Sequence, residues 1–399
     1  YSPVPTEGKI SSDQDELVIR MRRNPKILPT LRERLGQKAF IVGYKLLVGV
    51  TPEHLVGVAQ KQLAACHSNL CIANDLHDIG KESRKVHLVT PEGGDIVVEG
   101  DHDPVAERIA KFIFRRANVR WSRSVPYDED YFPAAPKGEA VKALGLAHSM
   151  RMFREAEGNL SVWSETGYWA TPRKVDKRTV VPDDLVYVNY AITVRELRYK
   201  GTRKPSIDSS VHGYLYHHLW QIRALLHFHH GYVLRADGAT TFPYPCGTIE
   251  EAEEIQKVTP SVYPAIVELT NHGYLWFFGS GDLDRVQDEW VQAVQEWAKH
   301  TDEVGALGVD HELYPILEDG HVIGVVAVVT YKGERWQATY LMQRHQGCRR
   351  GGAIYQMLTK HEGGRVVTKD ECNVLDYYMK RGATLVDRED GYLYLTLGG

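Results

Sequence analysis

The sequence predicts a multidomain protein of the α/β and α+β classes. Three observations support this. Short β-rich runs alternate with helical runs in 9–116, helices accompany mostly antiparallel strand patterns in 139–300, and a strand-rich stretch with two short helices closes the chain. The 399 residues are enough for two or three domains. We therefore expect domains at 1–116, 139–300 and 301–399.

The composition is that of an ordinary globular protein, with 43% hydrophobic and 25% charged residues. Its 48 basic and 52 acidic residues give a net charge of -4, which offers no bulk attraction to nucleic acid or to an anionic membrane. Five scattered cysteines without a CxxC pair indicate free thiols. No apolar run is long enough to span a membrane. We expect a cytoplasmic protein with a small-molecule partner, and neither a membrane nor a nucleic-acid partner.

The first domain, 1–116, is predicted as a parallel α/β sheet, because strand-like and helical runs follow one another at 16–21, 39–50, 54–65, 70–73, 86–89 and 104–116. The segment after it, 117–138, combines prolines and aromatic residues with charges and shows no periodicity. It is predicted as a linker.

This first domain resembles the C-terminal part of phosphopantothenoylcysteine synthetase, a ligase of coenzyme A synthesis. The matching residues are Gly8-Lys9-Ile10, Asp15-Glu16-Leu17, Lys26-Ile27-Leu28, 39–45 and 71–75. The resemblance implies that Lys9 and Asn74 contact a nucleotide, CTP or ATP. Lys61, on the helix before Asn74, is interpreted as a solvated surface charge.

The glycine-rich nucleotide turn with which that family's fold begins is not found here. We therefore expect a partial, Rossmann-like module that lacks its N-terminal half, either because residues precede Tyr1 or because the module is a remnant. Ligase activity from this chain alone is not expected.

A candidate metal site lies in the middle of the chain. His227 and His229 end an apolar run, and residues i and i+2 of a strand project from the same face, so both imidazoles can bind one ion. His272 is the candidate third ligand, in a turn where Gly273 lets the backbone bend sharply. Three imidazoles with an open fourth position are typical of catalytic zinc. Alternatively, an HxH pair in a chain with 18 histidines can be surface or packing residues.

The domain around this site resembles class II aldolases of the fuculose-phosphate type and their adducin-like relatives. The resemblance follows the family's order through 158–162, 168–172, 181–186, Lys204-Pro205-Ser206, 225–229, Gly247-Thr248 and Asn271-His272-Gly273. It implies a class II aldolase α/β/α domain and a homo-oligomer. It also implies that His227, His229 and His272 bind Zn²⁺ or another divalent metal. His217, His218 and His230 lie near these residues in the sequence and are interpreted as packing or supporting residues rather than ligands.

In that family the metal polarises a substrate carbonyl, and a carboxylate moves the proton. The carboxylate normally follows Pro-Ser-Ser, and this chain reads Pro205-Ser206-Ile207-Asp208. Asp208 is therefore the candidate base. It has a second interpretation, as the N-cap of the helix that carries His212.

The family's phosphate site is matched only in part. Asn159 and Ser206 are kept, whereas Arg173 and Lys174 stand where the family has a small residue and a glycine, and Ile207 replaces a serine. Arginine and lysine bind phosphate but do not allow a glycine's close backbone approach. We expect Asn159, Ser206, Arg173 and Lys174 to contact the substrate, with or without a phosphate.

The last domain, 301–399, resembles GCN5-type acetyltransferases in Arg349-Arg350-Gly351-Gly352-Ala353, which opens a helix, and in Asn373, Tyr378 and Arg381-Gly382. Amides at a helix N-terminus suit a pyrophosphate such as that of coenzyme A. The resemblance implies a small α+β acetyltransferase-like domain, with Arg350, Gly351 and Gly352 as acetyl-CoA contacts. An Arg-Gly-Gly turn also occurs in many unrelated folds.

The leading hypothesis is a zinc-dependent lyase, a class II aldolase-type enzyme that acts on a small hydroxy-carbonyl compound, phosphorylated or free. One alternative is a non-catalytic aldolase-like binding or scaffold module, favoured by Asp208, Ile207 and the Arg173-Lys174 pair. Another is a fusion protein that handles coenzyme A precursors.

Overall fold

The computed structural model of the chain describes residues 2–4, 21–36, 39–127, 136, 138–201, 203–304, 311–346, 350–369, 374–389 and 392–398. The chain separates into two compact units, 1–117 and 118–399. Within the described ranges, no helix combines the length and apolar character needed to cross a membrane.

The first unit is built around a four-stranded sheet. In chain order its elements are β1 (Ser2–Pro3), β2 (Met21–Arg22), α1 (Leu28–Leu35), β3 (Val42–Leu47), α2 (Pro52–Cys66), β4 (Leu70–Asp75), β5 (Ser83–Val89), β6 (Asp95–Asp101) and α3 (His102–Ala117). The strand order in the sheet is β3-β4-β5-β6, and β1 and β2 pair separately with each other.

The prediction of a parallel sheet in this unit is right for one strand pair and wrong for the other two. Strands β3 and β4 are parallel, with α2 as the crossover between them. Strands β4, β5 and β6 are antiparallel. The physical reason is the length of the connections, since a parallel crossover needs a dozen or more residues and a tight turn joins only antiparallel strands. The turn between β5 and β6 is closed by Thr90 N, which donates to Gly94 O at 2.9 Å.

The second unit contains a nine-stranded, mostly antiparallel sheet. Its strands and the helices packed on it are β7 (Arg123–Pro126), α4 (Glu139–Ser149), β8 (Asn159–Ser164), β9 (Gly167–Ala170), β10 (Val186–Ala191), β11 (Glu196–Lys200), α5 (Ser209–His218), β12 (Ala224–Phe228), β14 (Gly238–Ala239), α6 (Ile249–Val258), β15 (Ala265–Leu269), β16 (Gly273–Phe278) and α7 (Asp282–Val304). The strand order in the sheet is β14-β15-β16-β12-β8-β9-β10-β11-β7. One further strand of this region, β13 (Tyr232–Arg235), joins a different sheet.

Helices cover both faces of this sheet. Side chains of α4 and α7 share a core with Leu226, whereas those of α5 and α6 share a second core with Leu225. Neighbouring residues of β12 thus enter opposite layers, as the alternation of side chains along a strand requires. The predicted α/β/α architecture and the mixed fold class are confirmed.

The segment predicted as a linker, 117–138, is not wholly a linker. Its residues 123–126 form β7, which pairs in parallel with β11 at the edge of the nine-stranded sheet. Arg120 also pairs with Glu250 at 2.7 Å. Charged and proline-rich composition concealed this strand, because an edge strand needs neither a long apolar run nor a donor at every residue.

A seven-stranded sheet, which includes β13, follows. Its further strands and the helices of this region are β17 (His311–Glu318), β18 (His321–Tyr331), β19 (Glu334–Leu341), α8 (Gly351–Thr359), β20 (Arg365–Lys369), α9 (Val374–Met379), β21 (Thr384–Glu389) and β22 (Tyr392–Thr396). The strand order in the sheet is β13-β17-β18-β19-β20-β22-β21.

The boundary predicted at residue 300 does not separate two compact units. Strand β13 precedes that boundary but pairs with β17, which follows it. Leu283 and Val286 of α7 also share a buried core with Leu317 and Val325 of the second sheet. The apolar face of α7 is therefore buried by residues on both sides of the predicted boundary.

Candidate metal centre

Three neighbouring strands of the nine-stranded sheet position the candidate ligands. His227 lies on β12, opposite Leu275 of β16 and Asn159 of β8. His229 directly follows β12, and His272 lies in the turn between β15 and β16. Since β12 and β15 both pair with β16, the end of β12 and this turn come together at one edge.

The three histidines form a compact group, here called the histidine trio (His227, His229 and His272). One nitrogen of each lies within 4.8 Å of the others. The Nε2 atoms of His227 and His229 are 2.9 Å apart, and the ring centroids of the three pairs are separated by 4.7 to 5.1 Å. Within the described part of the chain this is the group of histidine, cysteine and acidic side chains whose geometry suits a metal ion.

Hydrogen bonds orient two of the rings. His227 Nδ1 donates to the carbonyl oxygen of Tyr274 at 2.9 Å, which leaves Nε2 directed into the trio. His272 Nδ1 lies 3.1 Å from Glu251 Oε1. Such a bond on one ring nitrogen fixes the orientation of the ring, so that Nε2 of His227 faces His229 and Nε2 of His272 lies beside Cys246 Sγ.

The protonation states of His227 and His229 also suit metal binding. Burial, followed by the neighbouring His272, holds the pKa of His227 well below its usual value and lowers that of His229 to about 4. Both rings are therefore neutral at physiological pH. Neutral imidazole is the form that binds a metal.

Asp208 lies in the same buried region. Its Oδ2 accepts a hydrogen bond from Asn159 Nδ2 at 2.6 Å, and its Oδ1 has no partner among the described residues. Burial raises the pKa of this carboxyl. Asp208 occupies the position before α5, but its side chain makes no capping hydrogen bond. The geometry therefore argues against the N-cap interpretation.

Asp208, His227, Glu251 and His272 line one small cavity. A buried carboxylate oxygen without a partner is costly unless something fills the space beside it. The three convergent nitrogen donors fit a divalent cation by chemical type, since neutral imidazole binds zinc, and Asp208 lines the cavity beside them.

The predicted phosphate contacts are only partly brought together. Asn159 contacts Asp208 directly, and buried Ser206 donates its backbone N–H to Thr171 O at 3.0 Å, in the loop before Asp208. Arg173 and Lys174 are exposed.

Sequence reasoning missed Lys177. Its side chain is only 2% exposed, and burial lowers its pKa while the charge of Asp208 opposes that shift. A lysine in a loop of charged residues carries no sequence signal that would distinguish it from a surface residue.

Two further residues were missed, Glu251 and Cys246. Glu251 is three residues after Thr248, which caps α6, and this Thr-x-x-Glu spacing is a capping-box pattern. The cap was therefore readable from sequence, but the contact with His272 was not. Cys246 Sγ lies 2.9 Å from His272 Nε2, and burial raises the pKa of this thiol to about 12.

The candidate sites outside this region have other contacts. Lys9 lies outside the described residues. Asn74 is on β4, where its side-chain amide donates to Lys85 O at 3.2 Å. Arg350 pairs with Glu318 at 2.6 Å, and a Cβ on Gly351 would meet the Tyr377 hydroxyl at 2.6 Å, while Gly352 lies in the first turn of α8. Arg350 and Gly351 are therefore already in contact with other protein groups.

Replacing Glu251 with glutamine is expected to weaken metal binding about 10- to 100-fold, the range found when the partner of a ligating histidine is changed. Glutamine keeps the size of Glu251 but loses the charge that orients His272. The measurement is a dissociation constant by competition with a chromophoric chelator. The control is Glu253→Gln, since Glu253 pairs with Arg120 at the surface. Equal affinities in the two variants would contradict the role of Glu251.

Gly273→Ala is expected to destabilise the protein by about 2–4 kcal/mol. Gly273 has φ +94°, and a Cβ there would clash with Phe228 O and lie 2.8 Å from His229 Cα. Gly333→Ala is the matched control, because Gly333 has φ +79° with open space around it. Urea unfolding of both variants measures the difference. A loss no larger than that of the control would show that the turn tolerates a side chain.

Comparisons with known proteins agree with two of the three resemblances. Residues 139–237 match the family model of the class II aldolase and adducin N-terminal domain. Residues 1–116 match that of the C-terminal domain of DNA/pantothenate metabolism flavoproteins. The chain thus contains a class II aldolase and adducin-type domain and a phosphopantothenoylcysteine synthetase-like domain, as predicted. The acetyltransferase resemblance of 301–399 stays a prediction.

Among curated proteins, the chain is similar to two archaeal coenzyme A biosynthesis bifunctional proteins CoaBC. That of Methanocaldococcus jannaschii is 33% identical over 107 residues, which is 26% of this chain and 26% of that protein. That of Thermococcus kodakarensis is 38% identical over 81 residues, which is 20% of this chain and 20% of that protein. The chain spans about a quarter of the length of the curated relatives it matches, or less.

Among solved structures, the chain is similar to an L-fuculose 1-phosphate aldolase, with 19% identity, 44% of this chain and 90% of that chain covered, and a TM-score of 0.30. The L-fuculose-1-phosphate aldolase of Thermus thermophilus is 19% identical, with 42% of this chain and 96% of that chain covered and a TM-score of 0.27. The DNA/pantothenate metabolism flavoprotein of Streptococcus pneumoniae is 31% identical, with 26% of this chain and 44% of that chain covered and a TM-score of 0.24.

Proposed function

We propose that this protein is a divalent-metal-dependent lyase of the class II aldolase type, which acts on a small anionic hydroxy-carbonyl compound. The proposal rests on one observation, the proximity of His227, His229 and His272 to each other and to the buried Asp208. The match of residues 139–237 to the class II aldolase and adducin family supports it.

The histidine trio would hold the cation, which when bound would supply Lewis-acid stabilisation of negative charge on a substrate oxygen. Glu251 and the Tyr274 carbonyl would orient the rings. Asp208 would move the proton that aldol cleavage requires. Its Oδ2 is held by Asn159, so Oδ1 is the atom available to accept a proton, and a raised pKa brings a carboxyl closer to the range useful in general acid–base catalysis.

A cleft of about 900 Å³ lies next to the end of β12 and includes His230, the residue after His229, and its wall carries four arginines and four glutamates. Arg151 and Arg335 in its wall pair with Glu312. Arg154, also in the wall, has no ion-pair partner in the described part of the chain. Its guanidinium would bind a carboxylate or a phosphate of the substrate.

The test is to measure the metal content of the purified protein and then its turnover. We expect about one ion per chain and release of an aldehyde from at least one member of a panel of phosphorylated and free ketoses and hydroxy acids. Chelation should abolish the turnover, and Zn²⁺, Mn²⁺ or Co²⁺ should restore it. A protein that takes up no metal, or takes it up and cleaves none of the panel, would contradict the proposal. Light scattering would test the homo-oligomer that we expect from the family.

We also propose that the first unit binds a metabolite or nucleotide of coenzyme A synthesis. The support is the match of residues 1–116 and the identity with CoaBC proteins. CTP, ATP, phosphopantothenate and acetyl-CoA would each be tested by thermal shift. The proposal would be supported if CTP, ATP or phosphopantothenate raises the melting temperature of the unmodified protein and this increase is absent in Asn74→Ala. No shift with any of these would contradict it.

A further inference from the structure

We propose that one water molecule is bound between Asp208 Oδ1 and His212 Nε2, and that His212 positions the carboxylate of Asp208 through this water. The catalytic part of this inference rests on the proposed function, because Asp208 is the proton carrier proposed there. The water site itself follows from the contacts of buried polar atoms. Asp208 directly precedes α5, and His212 lies within that helix.

Two buried polar atoms at the start of α5 have no hydrogen-bond partner among the described residues. They are Oδ1 of Asp208, a residue that is 9% exposed, and Nε2 of His212, which is 1% exposed. The His212 backbone N–H donates to the Asp208 carbonyl oxygen at 2.9 Å, so the residues are one helical turn apart. Side chains at that spacing lie on the same side of a helix, with Cβ atoms about 5–6 Å apart. A single water, with hydrogen bonds of about 2.8 Å, spans such a gap.

Both residues line a cavity of about 10 Å³, close to the roughly 10–15 Å³ that one water needs. The other polar side chains in its wall are those of His227, Glu251 and His272, and each has hydrogen-bond partners. Glu251, for example, has one oxygen on His272 Nδ1 and the other on the Gly247 N–H. His229 is not among the described residues of the wall. The cavity therefore lies beside the centre of the histidine trio and not at it.

The hydrogen bonds behind the His212 ring show which nitrogen carries its proton. Tyr216 has one hydroxyl proton and donates it to the carbonyl oxygen of Ser161 at 3.0 Å. The Ser161 hydroxyl, 3.0 Å from the Tyr216 hydroxyl oxygen, therefore donates to Tyr216. It accepts in turn from His212 Nδ1, at 2.8 Å. Since burial lowers the pKa of His212 to about 3, the ring is neutral and Nε2 is a bare acceptor.

Water is the molecule that matches the two atoms. A base must be ionised, and the Oδ1 atom of an ionised Asp208 accepts hydrogen bonds, as the bare Nε2 of His212 does. A direct contact between the two atoms would have no proton to share. A water has two protons and donates one to each. Its bond to Oδ1 would favour the ionised carboxyl, whereas burial raises the pKa of that group.

The water would fix the orientation of the base. Oδ2 of Asp208 is held by Asn159 at 2.6 Å, and the water would hold Oδ1. A carboxylate oxygen has two lone pairs, so Oδ1 can keep this bond and still take up a substrate proton. The hydrogen bonds behind His212 end at the Ser161 carbonyl oxygen, which takes up no proton. His212 is therefore a positioning residue, and its contribution is the geometry of Asp208.

A high-resolution crystal structure of the full chain tests the water site without reference to activity. We expect one ordered water within about 3 Å of both Asp208 Oδ1 and His212 Nε2. A direct contact between the two side chains, or a cavity without density, would overturn the site. A cation at this position, recognised by its anomalous scattering, would also overturn it.

Two variants of His212 separate positioning from packing. An asparagine amide reaches about as far as Nδ1 and keeps the contact with Ser161, whereas a glutamine amide reaches about as far as Nε2 and keeps the contact with the water. We expect His212→Asn to lower kcat about 10- to 100-fold, with KM and metal content near those of the unmodified protein. His212→Gln should retain most of the kcat. A packing role predicts the reverse order, because glutamine loses the bond to Ser161.

His217→Asn is the matched control, since His217 is exposed on the same helix and should leave kcat unchanged. Urea unfolding would check that each variant is folded. Equal kcat values in the two His212 variants, or a larger loss in the glutamine variant, would overturn the positioning role. A protein that shows the water but cleaves no member of the panel would refute the lyase, and with it the catalytic role of His212, while the water site stands.

Discussion

Replacing His227 with alanine is expected to reduce the bound metal from about one ion per chain to a trace and to lower metal-dependent aldehyde release at least about a thousandfold. His227 lies on a central strand and is only 2% exposed, and its Nε2 is 2.9 Å from that of His229. Without it, the two remaining imidazoles form an incomplete site.

The measurement for His227→Ala is elemental analysis after dialysis, together with initial rates on the best substrate of the panel. His217→Ala is the matched control, because His217 is an exposed histidine on α5 and should leave both quantities unchanged. Urea unfolding would show whether the truncated strand remains stable. Full metal content in a folded His227→Ala protein would contradict the proposed ligand set.

Replacing Asp208 with asparagine is expected to lower kcat by about 10²–10⁴-fold while the metal content stays near that of the unmodified protein. Asparagine keeps the shape of the side chain and can still accept a hydrogen bond from Asn159, but it cannot take up a proton. The measurement is kcat with metal content determined on the same sample. Asp183→Asn is the control, because Asp183 lies in the short helix Pro182–Asp184 and does not line the cavity with Asp208. An unchanged kcat would exclude Asp208 as the proton carrier.

The same variant has a distinct stability signature in metal-free protein. Burial raises the pKa of Asp208 in the folded state, so the folded protein binds this proton more tightly than the unfolded chain. This proton stabilises the folded state fully when the pH is below the pKa that Asp208 has in the unfolded chain. The stabilisation is lost as the pH rises through the pKa that Asp208 has in the folded protein. At neutral pH, Asp208→Asn should therefore unfold at a higher denaturant concentration than the unmodified protein, and the difference should narrow as the pH falls. A variant that is less stable throughout would contradict a buried, costly carboxylate.

Much of the candidate site could be read from the order of residues, because its ligands obey local rules. His227 and His229 are separated by the two-residue period of a strand. His272 precedes Gly273, where the positive φ of the turn favours glycine. Strand and helix runs such as β12, β18 and α7 were also found, since each is long and regular. Short edge strands such as β7 were missed, because they carry no apolar repeat.

The residues around the trio could not be predicted in this way. Glu251 and His272 are 21 positions apart, and Cys246 and His272 are 26 apart. Lys177 affects Asp208 from a separate loop. Which buried polar groups meet across such separations depends on the packing of α6 and the loops against the sheet, and no local pattern reports it.

By itself, the sequence determined that the chain carries an aldolase-type domain and a synthetase-like domain, and that three histidines were candidates for one ion. Only the tertiary structure decided that strand β13 joins the C-terminal sheet and that Glu251 and Cys246 contact His272. The physical reason is that backbone periodicity and turn chemistry act over a few residues, whereas burial, desolvation and ligand geometry depend on which distant segments the fold brings into contact.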